Sequence, residues 1–480
     1  MPDFSILRND CFLSEAGLTP GGRWSCNCIF FNMLSTRVTA FLVAGTLWVP
    51  GAFLRSQEAV PLPVPPPPAE PSEKPVSVEI PDGGEGAAIA EFAEGPNGAV
   101  EAADLSGYDI SGLKVDVTGS GSFVHDSNTA QMQNGPSANL FAFAYAVEVN
   151  SGRQNAPGGY YGFNLRGQYF VYDNAAASLG RDPLETFFAG YAGINGGFTR
   201  IRTDVNYHRN NGNSLDWDSI QRETRRQSSH DYNFNVAASR DLRRGTLEVG
   251  AGYTLRDFDR NVGIDDGENL YGDLAWMTSP SFAPKTETGL GFRFGNDEFS
   301  GQPTQTFLTP SFRWRWKVSG KSSVRNSFGY EMRSIDTTPS SDLRNLVYDG
   351  GIDWALTGKT ALGLGYYRRV QPSFILNGQD VTMTGLAVNM TNQLPGRFVL
   401  NTRAGYEDAS YQTRGTPIPG SVDRDDQFLR LALELRHPLR LSEKVGGEWA
   451  VFFNYNQNDS NQAVFSFDQN VAGVRFGLIY

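Results

Sequence analysis

The sequence predicts an all-β fold: a transmembrane antiparallel up-and-down β-barrel of 16–18 strands, preceded by a disordered Pro-rich N-terminal segment. Three observations predict it. Apolar and polar residues alternate from about residue 111 onward, the alternating segments are about 11–15 residues long, and their connections alternate between short and long. Strands of soluble proteins average about 5–6 residues, whereas a tilted strand needs about 9–11 to cross a bilayer. Membrane barrels have short turns at one end and longer loops at the other, which a soluble sandwich does not require.

Composition excludes several other classes of protein. Glycine accounts for 53 of the 480 residues, aromatic residues for 12% and hydrophobic residues for only 40%. The 41 Lys and Arg against 52 Asp and Glu give a net charge of −11. We therefore expect no nucleic-acid partner, because binding phosphates needs a cationic surface. Aromatic residues are too frequent for a disordered polymer, and glycine lacks the three-residue period of collagen.

Residues 1–59 are predicted to be an N-terminal extension and a signal peptide. Arg37 precedes an apolar stretch over residues 38–53, and small residues that suit cleavage lie at its end and beyond it. This stretch is too short and too interrupted for a membrane-spanning helix. We interpret Met33 as the true start; the alternative, a genuine extension upstream of Met33, stays open.

Residues 60–110 are predicted to form a periplasmic linker. Residues 60–78 are rich in proline, which favours an extended and semi-rigid chain. Residues 79–108 carry seven acidic residues and no Lys or Arg. One interpretation of residues 60–110 as a whole is that they contact a periplasmic partner. Residues 111–480 then form the barrel, with both of its ends in the periplasm.

Alternation within single segments assigns their side chains to two faces. In residues 429–435 four leucines alternate with Arg, Ala and Glu, and in residues 312–318 Phe, Trp, Trp and Val alternate with Arg, Arg and Lys. Successive side chains of a strand point to opposite faces, so each segment has an apolar face for lipid and a polar face for the lumen. The eighteen predicted strands are 113–125, 139–149, 160–173, 185–196, 199–209, 230–240, 245–257, 268–278, 285–296, 304–317, 321–334, 343–355, 358–370, 380–391, 396–409, 425–437, 443–456 and 466–480.

The predicted connections alternate strictly between short turns, such as residues 243–245 and 319–321, and longer loops, such as residues 257–269. The longest loop covers residues 209–229, and we expect it to fold inward and narrow the lumen. Deleting residues 212–226 would then raise conductance. Tyrosines near the segment ends are expected to form the aromatic girdle at the membrane surface: Tyr160, Tyr161, Tyr172, Tyr253, Tyr366, Tyr367, Tyr406 and Tyr455.

The last segment resembles the C-terminal strand of bacterial outer-membrane barrels. Val474, Phe476, Leu478 and Tyr480 alternate with small, charged or apolar residues, and the segment ends on an aromatic residue. In such barrels this strand is the signal that the barrel-assembly machinery recognises. The resemblance therefore implies that this machinery is a partner of the chain.

Residues 111–480 as a whole resemble the β-barrel porin 2 group of Gram-negative outer-membrane proteins. The resemblance lies in the alternation of glycine and aromatic residues in ALGLGYYRR, residues 361–369, and in sparse turns such as TGKT, residues 357–360. It implies a barrel in the outer membrane, in contact with lipid and lipopolysaccharide, that serves in transport. Porin-like barrels often form homo-trimers.

No enzyme motif emerges from the sequence. The four histidines, His125, His208, His230 and His437, lack the spacing of zinc-protease helices, and neither a G-x-S-x-G motif nor a phosphate-binding loop occurs. All three cysteines precede Met33. We therefore expect no catalytic residue, no cofactor and no metal site.

Function is then expected to reside on the lumen face, where arginines are expected to outnumber acids. Because rings of Arg and Lys select anions, this face predicts a passive channel for small hydrophilic solutes with a preference for anions. The alternative is that acids pair with these bases and the wall is merely hydrated. Two other roles stay open, an accessory barrel for exopolysaccharide export and a plugged structural or adhesive barrel. The bases expected to line the lumen are Arg166, Arg202, Arg313, Arg315, Lys317, Arg403, Arg430, Arg436 and Arg475.

Overall fold

The structure is a computed structural model. It describes residues 108–110, 113–152, 157–174, 182–211, 228–259, 266–336, 341–373, 379–413, 423–442 and 445–480. The predicted signal peptide within residues 1–59 and all but the last three residues of the predicted linker 60–110 lie outside this part of the chain.

Nineteen strands make up most of the described residues. They are β1 (Tyr108–Ile110), β2 (Leu113–Asp126), β3 (Ala138–Ser151), β4 (Gly158–Tyr172), β5 (Leu184–Asn195), β6 (Thr199–Asn210), β7 (Ser229–Leu242), β8 (Gly245–Phe258), β9 (Gly267–Thr278), β10 (Thr286–Phe299), β11 (Gln305–Ser319), β12 (Ser322–Ile335), β13 (Ser341–Ala355), β14 (Thr360–Pro372), β15 (Gln379–Gln393), β16 (Val399–Thr413), β17 (Arg424–Arg440), β18 (Gly446–Ser460) and β19 (Phe467–Ile479). Short 3-10 turns cover Pro395–Arg397 and Ala463–Phe465. No helix among the described residues is long and apolar enough to cross a membrane.

Strands β2 to β19 form one closed antiparallel ring. Each pairs with its neighbours in sequence, and β19 pairs with β2 to close the barrel. The closing ladder ends in two backbone hydrogen bonds between Val117 and Tyr480, at 2.9 and 3.0 Å. The eighteen-strand antiparallel barrel predicted from the sequence is confirmed, and each predicted strand boundary lies within four residues of the observed one.

Strand β1 lies at the end of the predicted linker 60–110, which was expected to lack structure. It pairs with residues 113–115 at the start of β2. Strand β19 pairs only with residues 118–126 of β2, so these first residues have no partner in β19. Backbone groups left unpaired at the end of β2 therefore gain partners. Residues 108–110 therefore belong to the sheet.

The two ends of the barrel differ in the length of their connections. At the end that holds the C-terminus, here called the short-turn end, connections have two to seven residues; at the opposite, long-loop end they have five to eighteen. The predicted strict alternation is wrong at one place: the connection 279–285 at the short-turn end is longer than 300–304 at the long-loop end. Pro280 and Pro284 lie in the longer one, and proline has no N–H to donate to a ladder.

The distribution of side chains is inverted relative to a soluble protein. Among the described residues, 28 buried residues are polar or charged and only 23 are apolar, while side chains such as Phe143 and Phe476 are 56% and 64% exposed. On the outward face of β2–β19 every Asp, Glu, Lys and Arg except Arg240 lies in the half of its strand nearer the long-loop end. The short-turn half of the outer surface is therefore almost free of charge, as a lipid-facing surface requires.

Candidate functional site: the inward face of the barrel

All nine bases expected to line the lumen lie at inward positions of their strands. Arg430, for example, lies between the outward Leu429 and Leu431, and it is buried while Leu431 is 41% exposed. Lys317 occupies an inward position as well, but it is exposed close to the short-turn end of β11. The two-residue period therefore places these side chains on the expected face, since one residue of register slip would have reversed them.

The inward face carries as many acids as bases. Counted over β2–β19, inward positions hold eighteen of each kind. The bases are Lys114, Arg166, Arg200, Arg202, Arg256, Arg293, Arg313, Arg315, Lys317, Arg325, Arg333, Arg369, Arg403, Arg424, Arg430, Arg436, Arg440 and Arg475. The acids are Asp116, Asp126, Glu148, Glu185, Asp204, Asp231, Asp241, Glu248, Asp273, Glu287, Asp297, Glu331, Asp349, Asp353, Glu407, Asp426, Glu434 and Glu448. The sequence suggested that arginines outnumber acids on the inward face, and the structure shows that they do not. The alternation that places the bases on this face places the acids there as well.

Ion pairs bridge non-adjacent strands on one side of the barrel. Arg313 Nη2 lies 2.5 Å from Asp273 Oδ2 across two strands, and Arg315 Nη1 lies 2.7 Å from Glu248 Oε1 across three. Glu287 lies 3.8 Å from Arg315. Arginine side chains of β11 therefore extend along the wall instead of pointing to the barrel axis, and acids of β8, β9 and β10 neutralise them.

A second group of ion pairs lies on β17–β19. Arg475 Nη2 lies 3.1 Å from Glu434 Oε2 and 3.3 Å from Glu448 Oε1, and Arg436 lies 4.0 Å from Glu448. Arg475 and Glu448 are both buried. A buried charge is tolerated when it is paired and hydrogen-bonded, so this group is a fixed part of the wall.

Aromatic rings accompany the arginines on β4–β6. The guanidinium of Arg202 lies 5.5 Å from the centre of the Tyr191 ring and 2.7 Å from Asp204. Arg166 donates to Asn164 at 3.1 Å and lies 5.6 Å from the centre of the Phe187 ring. Each interaction of this kind contributes about 0.5–1 kcal/mol at an exposed site, so these side chains are held less tightly than the buried pairs.

The remaining two predicted bases lie on neighbouring strands. Arg430 of β17 lies 4.3 Å from the centre of the Phe428 ring. Arg403 of β16 lies opposite Asn389 and Ala432 in the ladders with β15 and β17. The nine bases are thus distributed around the wall, and the structure does not bring them together into one ring.

Tyrosines divide between the two faces of the barrel. Tyr161 and Tyr406 face outward and are 52% and 45% exposed, as the predicted girdle requires. The expectation is wrong for Tyr160, Tyr172 and Tyr367, which occupy inward positions, because neighbouring residues of a strand point to opposite faces. The ring of Tyr160 covers Gly193, and that of Tyr367 covers Gly385. These glycines leave space for a ring to lie flat against the wall.

Histidines are dispersed over the barrel. His208 Nε2 lies 2.6 Å from Glu185 on the inward face, and His230 lies 3.0 Å from Asp259 near the long-loop end. The His437 ring lies 4.7 Å from the Phe398 ring on the outward face. Within the described ranges, no group of three His, Cys, Asp or Glu side chains is arranged to hold a metal ion.

The long-loop end of the lumen is packed with side chains. Val124, Leu140, Phe170, Phe452 and Val471 form an apolar cluster on the inward face, each at most 3% exposed. In the connection between β2 and β3, buried Gln131 donates to Gln469 at 3.1 Å. The inward face of the barrel is therefore closely packed at this level. Most of the loop expected to narrow it, 212–227 of 209–229, lies outside the described residues.

Arg333 is the centre of a buried polar network that sequence reasoning did not single out. Its guanidinium donates to Asp297, to Gln305 at 2.8 Å, to Glu331 at 3.0 Å and to the carbonyl oxygen of Val370 at 3.2 Å. The side chain is 3% exposed. Alternation within β12 would have placed Glu331 and Arg333 on the inward face. The contact with Val370 could not be foreseen, because it skips strand β13.

Contacts between β11 and β15 show that the wall curls inward at the long-loop end. Gln305 of β11 donates to Asp380 of β15 at 3.3 Å, and Gln302 donates to the carbonyl oxygen of Ser373 at 3.0 Å. On a circular barrel of eighteen strands tilted by about 40°, strands four places apart would be about 20 Å apart. The ends of β14 and β15 must therefore lie inside the barrel, with their outer face against the inner face of β11 and β12.

This curl separates β14 from β13. Their ladder has eight residue pairs, from Ala355–Ala361 to Tyr348–Arg368, and is the shortest of the eighteen ladders in the ring. The ladder between β13 and β14 does not continue into residues 342–347 of β13 and 369–372 of β14, although the structure describes both segments. We call the gap between these two segments the seam. It runs from the long-loop end down to the level of Tyr348.

The structure is similar to solved structures of outer-membrane proteins whose sequences are only 8–13% identical to this chain. No family model matches the chain, and no curated protein sequence matches it. The structure of OccK2 (OpdF) from Pseudomonas aeruginosa with glucuronate is 13% identical, with a TM-score of 0.41 over 78% of this chain and 99% of that one. OpdK with vanillate, from the same organism, is 13% identical, with a TM-score of 0.41 over 77% and 100%. A mutant of its ferric enterobactin receptor PfeA is 8% identical, with a TM-score of 0.39 over 76% and 80%. At these values the solutes of those proteins say nothing about the solute of this chain.

Proposed function

We propose that the chain is an outer-membrane channel through which small hydrophilic solutes diffuse passively. The observation that carries the proposal is the inverted distribution of side chains, with ionised groups on the inward face and an apolar surface outside. Such an outer surface is stable against lipid, and a closed ring is the form in which strands cross lipid, because it has no free edge strand. An eighteen-strand barrel is wide enough for an aqueous lumen.

The orientation follows from the two ends of the barrel. Strand β2 begins and β19 ends at the short-turn end, and single-chain bacterial barrels have their short turns in the periplasm and their longer loops outside. The proposal therefore puts the segment before β1 in the periplasm of a Gram-negative cell and the long loops beside lipopolysaccharide. Membership of the β-barrel porin 2 group, contact with the assembly machinery and a trimer of this chain stay predictions.

The ion selectivity of the channel is expected to be weak. Equal numbers of inward acids and bases leave the wall of the lumen without a net charge, and arginines such as Arg313 and Arg475 are neutralised locally. The anion preference predicted from the sequence stays a prediction, and we place its origin at the short-turn end. There the side chain of Lys317 is exposed on the inward face, so a mobile anion meets a positive charge that the dissolved salt screens only in part.

Liposome swelling tests the proposal. Liposomes that contain the refolded chain should swell in isotonic arabinose faster than protein-free liposomes, and progressively more slowly in glucose and sucrose. A sample with the heat-modifiable mobility of a folded barrel that swells no faster than protein-free liposomes would contradict a passive channel. That result would favour a plugged structural barrel or an accessory role in polysaccharide export.

A further inference from the structure

Three polar side chains on the outward face form a hydrogen-bonded row across β2, β3 and β4, near the long-loop end. His125 lies opposite Asn139 in the ladder between β2 and β3, and its Nδ1 lies 3.0 Å from Asn139 Oδ1. Asn139 Nδ2 donates to Asp173 Oδ2 at 2.8 Å, and the backbone N–H of Asn139 donates to Asp173 Oδ1 at 3.1 Å. Both carboxylate oxygens of Asp173 therefore hold the same residue, which fixes the orientation of the Asn139 amide.

This row also determines which nitrogen of His125 carries the proton. An ionised carboxylate only accepts hydrogen bonds, so the amide nitrogen of Asn139 faces Asp173 and the amide oxygen faces His125. Because that oxygen only accepts, Nδ1 of His125 must be the donor. In the neutral ring the free electron pair is then on Nε2. The His125 side chain is exposed, so Nε2 is accessible as a general base.

A hydroxyl group lies close to this base along the chain. Ser127 follows His125 by two residues, which is the spacing of consecutive positions on one face of a strand, about 7 Å. Its Oγ accepts from the backbone N–H of Asn470 at 2.8 Å, and its own N–H donates to the Asn470 carbonyl oxygen at 2.9 Å. These bonds hold Ser127 at the end of β2. Ser127 and His125 are not hydrogen-bonded to each other here, and such bonds often tighten only when substrate binds.

An apolar row lies directly beside the polar one, on the side of the short-turn end. Phe123 lies opposite Phe141 on β3 and Val474 on β19, and Phe141 lies opposite Val171 on β4. These four side chains are 41–51% exposed, and the centres of the two Phe rings are 5.1 Å apart. The surface therefore suits a molecule that has a hydrocarbon chain attached to a polar linkage.

We propose that this surface hydrolyses esters of long-chain fatty acids, with Ser127 as nucleophile and His125 as general base. The acyl chain lies along the apolar row. Oγ of Ser127 attacks the carbonyl carbon while Nε2 of His125 takes the hydroxyl proton; the C–O bond to the alcohol then breaks, and His125 returns the proton to the alcohol. Water attacks the acyl-serine with the same base taking its proton, which releases the fatty acid and restores the serine. Asn139 and Asp173 are positioning residues, because they act through the imidazole.

The expectation of no catalytic residue rested on motifs in consecutive sequence. A row across β2, β3 and β4 becomes visible only when the strands are paired, since Asp173 is 48 residues after His125. The proposed site lies wholly on the outward face of the barrel. It is therefore independent of whether the lumen conducts.

Hydrolysis of p-nitrophenyl laurate by the full chain, folded in a non-ionic detergent, tests the site. Ser127→Ala and His125→Gln should each lower kcat by at least about 10³-fold, because nucleophile and base act as one unit. Ser137→Ala removes an exposed hydroxyl from the same β2–β3 connection and should leave kcat unchanged. Equal rates for wild type and Ser127→Ala would overturn the proposal.

Separate measurements of kcat and KM test the other residues. Asn139→Ala should lower kcat about tenfold or more and leave KM unchanged, because the imidazole loses its orientation while the apolar row still binds the chain. Phe141→Ala should raise KM for p-nitrophenyl laurate but not for p-nitrophenyl acetate, which has no long chain. An effect of Asn139→Ala on KM alone would contradict its positioning role.

Covalent labelling identifies the nucleophile even if Ser127→Ala, which removes the acceptor of the Asn470 N–H, folds poorly. Hexadecanesulfonyl fluoride reacts with activated serine hydroxyls and has a long alkyl chain. Mass spectrometry should find the label on Ser127 of wild type, and His125→Gln should stay unlabelled at this position. Absence of label from Ser127 in the folded wild-type chain would overturn the proposal.

Natural lipids identify the source of the ester and separate this proposal from the channel. Phosphatidylglycerol and lipid A both carry fatty-acid esters and are supplied in separate mixed micelles. Fatty acid released from either lipid by wild type but not by Ser127→Ala supports the proposal and names the source; release from neither would overturn it. Ser127→Ala should conduct KCl as wild type does, so a silent barrel that hydrolyses esters would contradict the channel alone.

Discussion

Removal of Arg333 is expected to destabilise the barrel more than any substitution of an exposed arginine. Its guanidinium is the shared donor for Asp297, Glu331 and Gln305 and also satisfies the carbonyl oxygen of Val370. In Arg333→Gln two buried carboxylates lose their counter-ion. Breaking a buried ion pair by removing one partner costs about 3–5 kcal/mol, so the free energy of unfolding should fall by about that amount.

Urea unfolding in lipid vesicles, followed by tryptophan fluorescence, measures this difference. Arg240→Gln is the matched control, since it removes an exposed arginine and should change the free energy of unfolding by at most about 0.5 kcal/mol. The triple variant Arg333→Met, Asp297→Asn, Glu331→Gln should recover most of the loss, because it removes the uncompensated charges together. If Arg333→Gln were as stable as wild type, this network would not be what holds the curled strands in place.

Three further predictions concern the wall, the lumen and the closure. Gly385→Ala should lower the free energy of unfolding in urea by about 1–3 kcal/mol, because the new Cβ would lie 2.4 Å from the Tyr367 ring. Gly119→Ala is the control, since its Cβ would meet nothing within 4 Å. Equal stabilities of the two variants would contradict this prediction. Lys317→Glu should shift the reversal potential towards cations without changing stability, and an unshifted potential would remove the proposed origin of anion preference. Deleting Tyr480 removes both of its closing hydrogen bonds, so the heat-modifiable folded fraction in cells should fall several-fold.

Much of the fold was predictable from the sequence because the side chains of a strand alternate between its two faces with a period of two residues. In residues 429–435, for example, four outward leucines identify the lipid face, and they fix Arg430 on the other face without any tertiary information. Closure also follows, since lipid offers no partner for an edge strand. The same rule applied to every strand places eighteen acids on the inward face beside the eighteen bases.

The seam could not be predicted from the sequence. Alternation continues through β13 and β14, so nothing local indicates that their ladder stops at Tyr348 and Arg368. The curl depends on contacts between residues far apart in sequence, such as Gln305 with Asp380. A period-two pattern specifies which face a side chain occupies, but it contains no information on how strongly the sheet bends.

A channel requires that the inward face of this barrel surrounds an aqueous path across a membrane. Single-channel recording of the refolded full chain in a planar bilayer tests it most directly, with reversal potentials measured in a KCl gradient. We expect stable conductance steps with weak ion selectivity. A barrel that inserts into the membrane with the mobility of the folded form but stays electrically silent would contradict it.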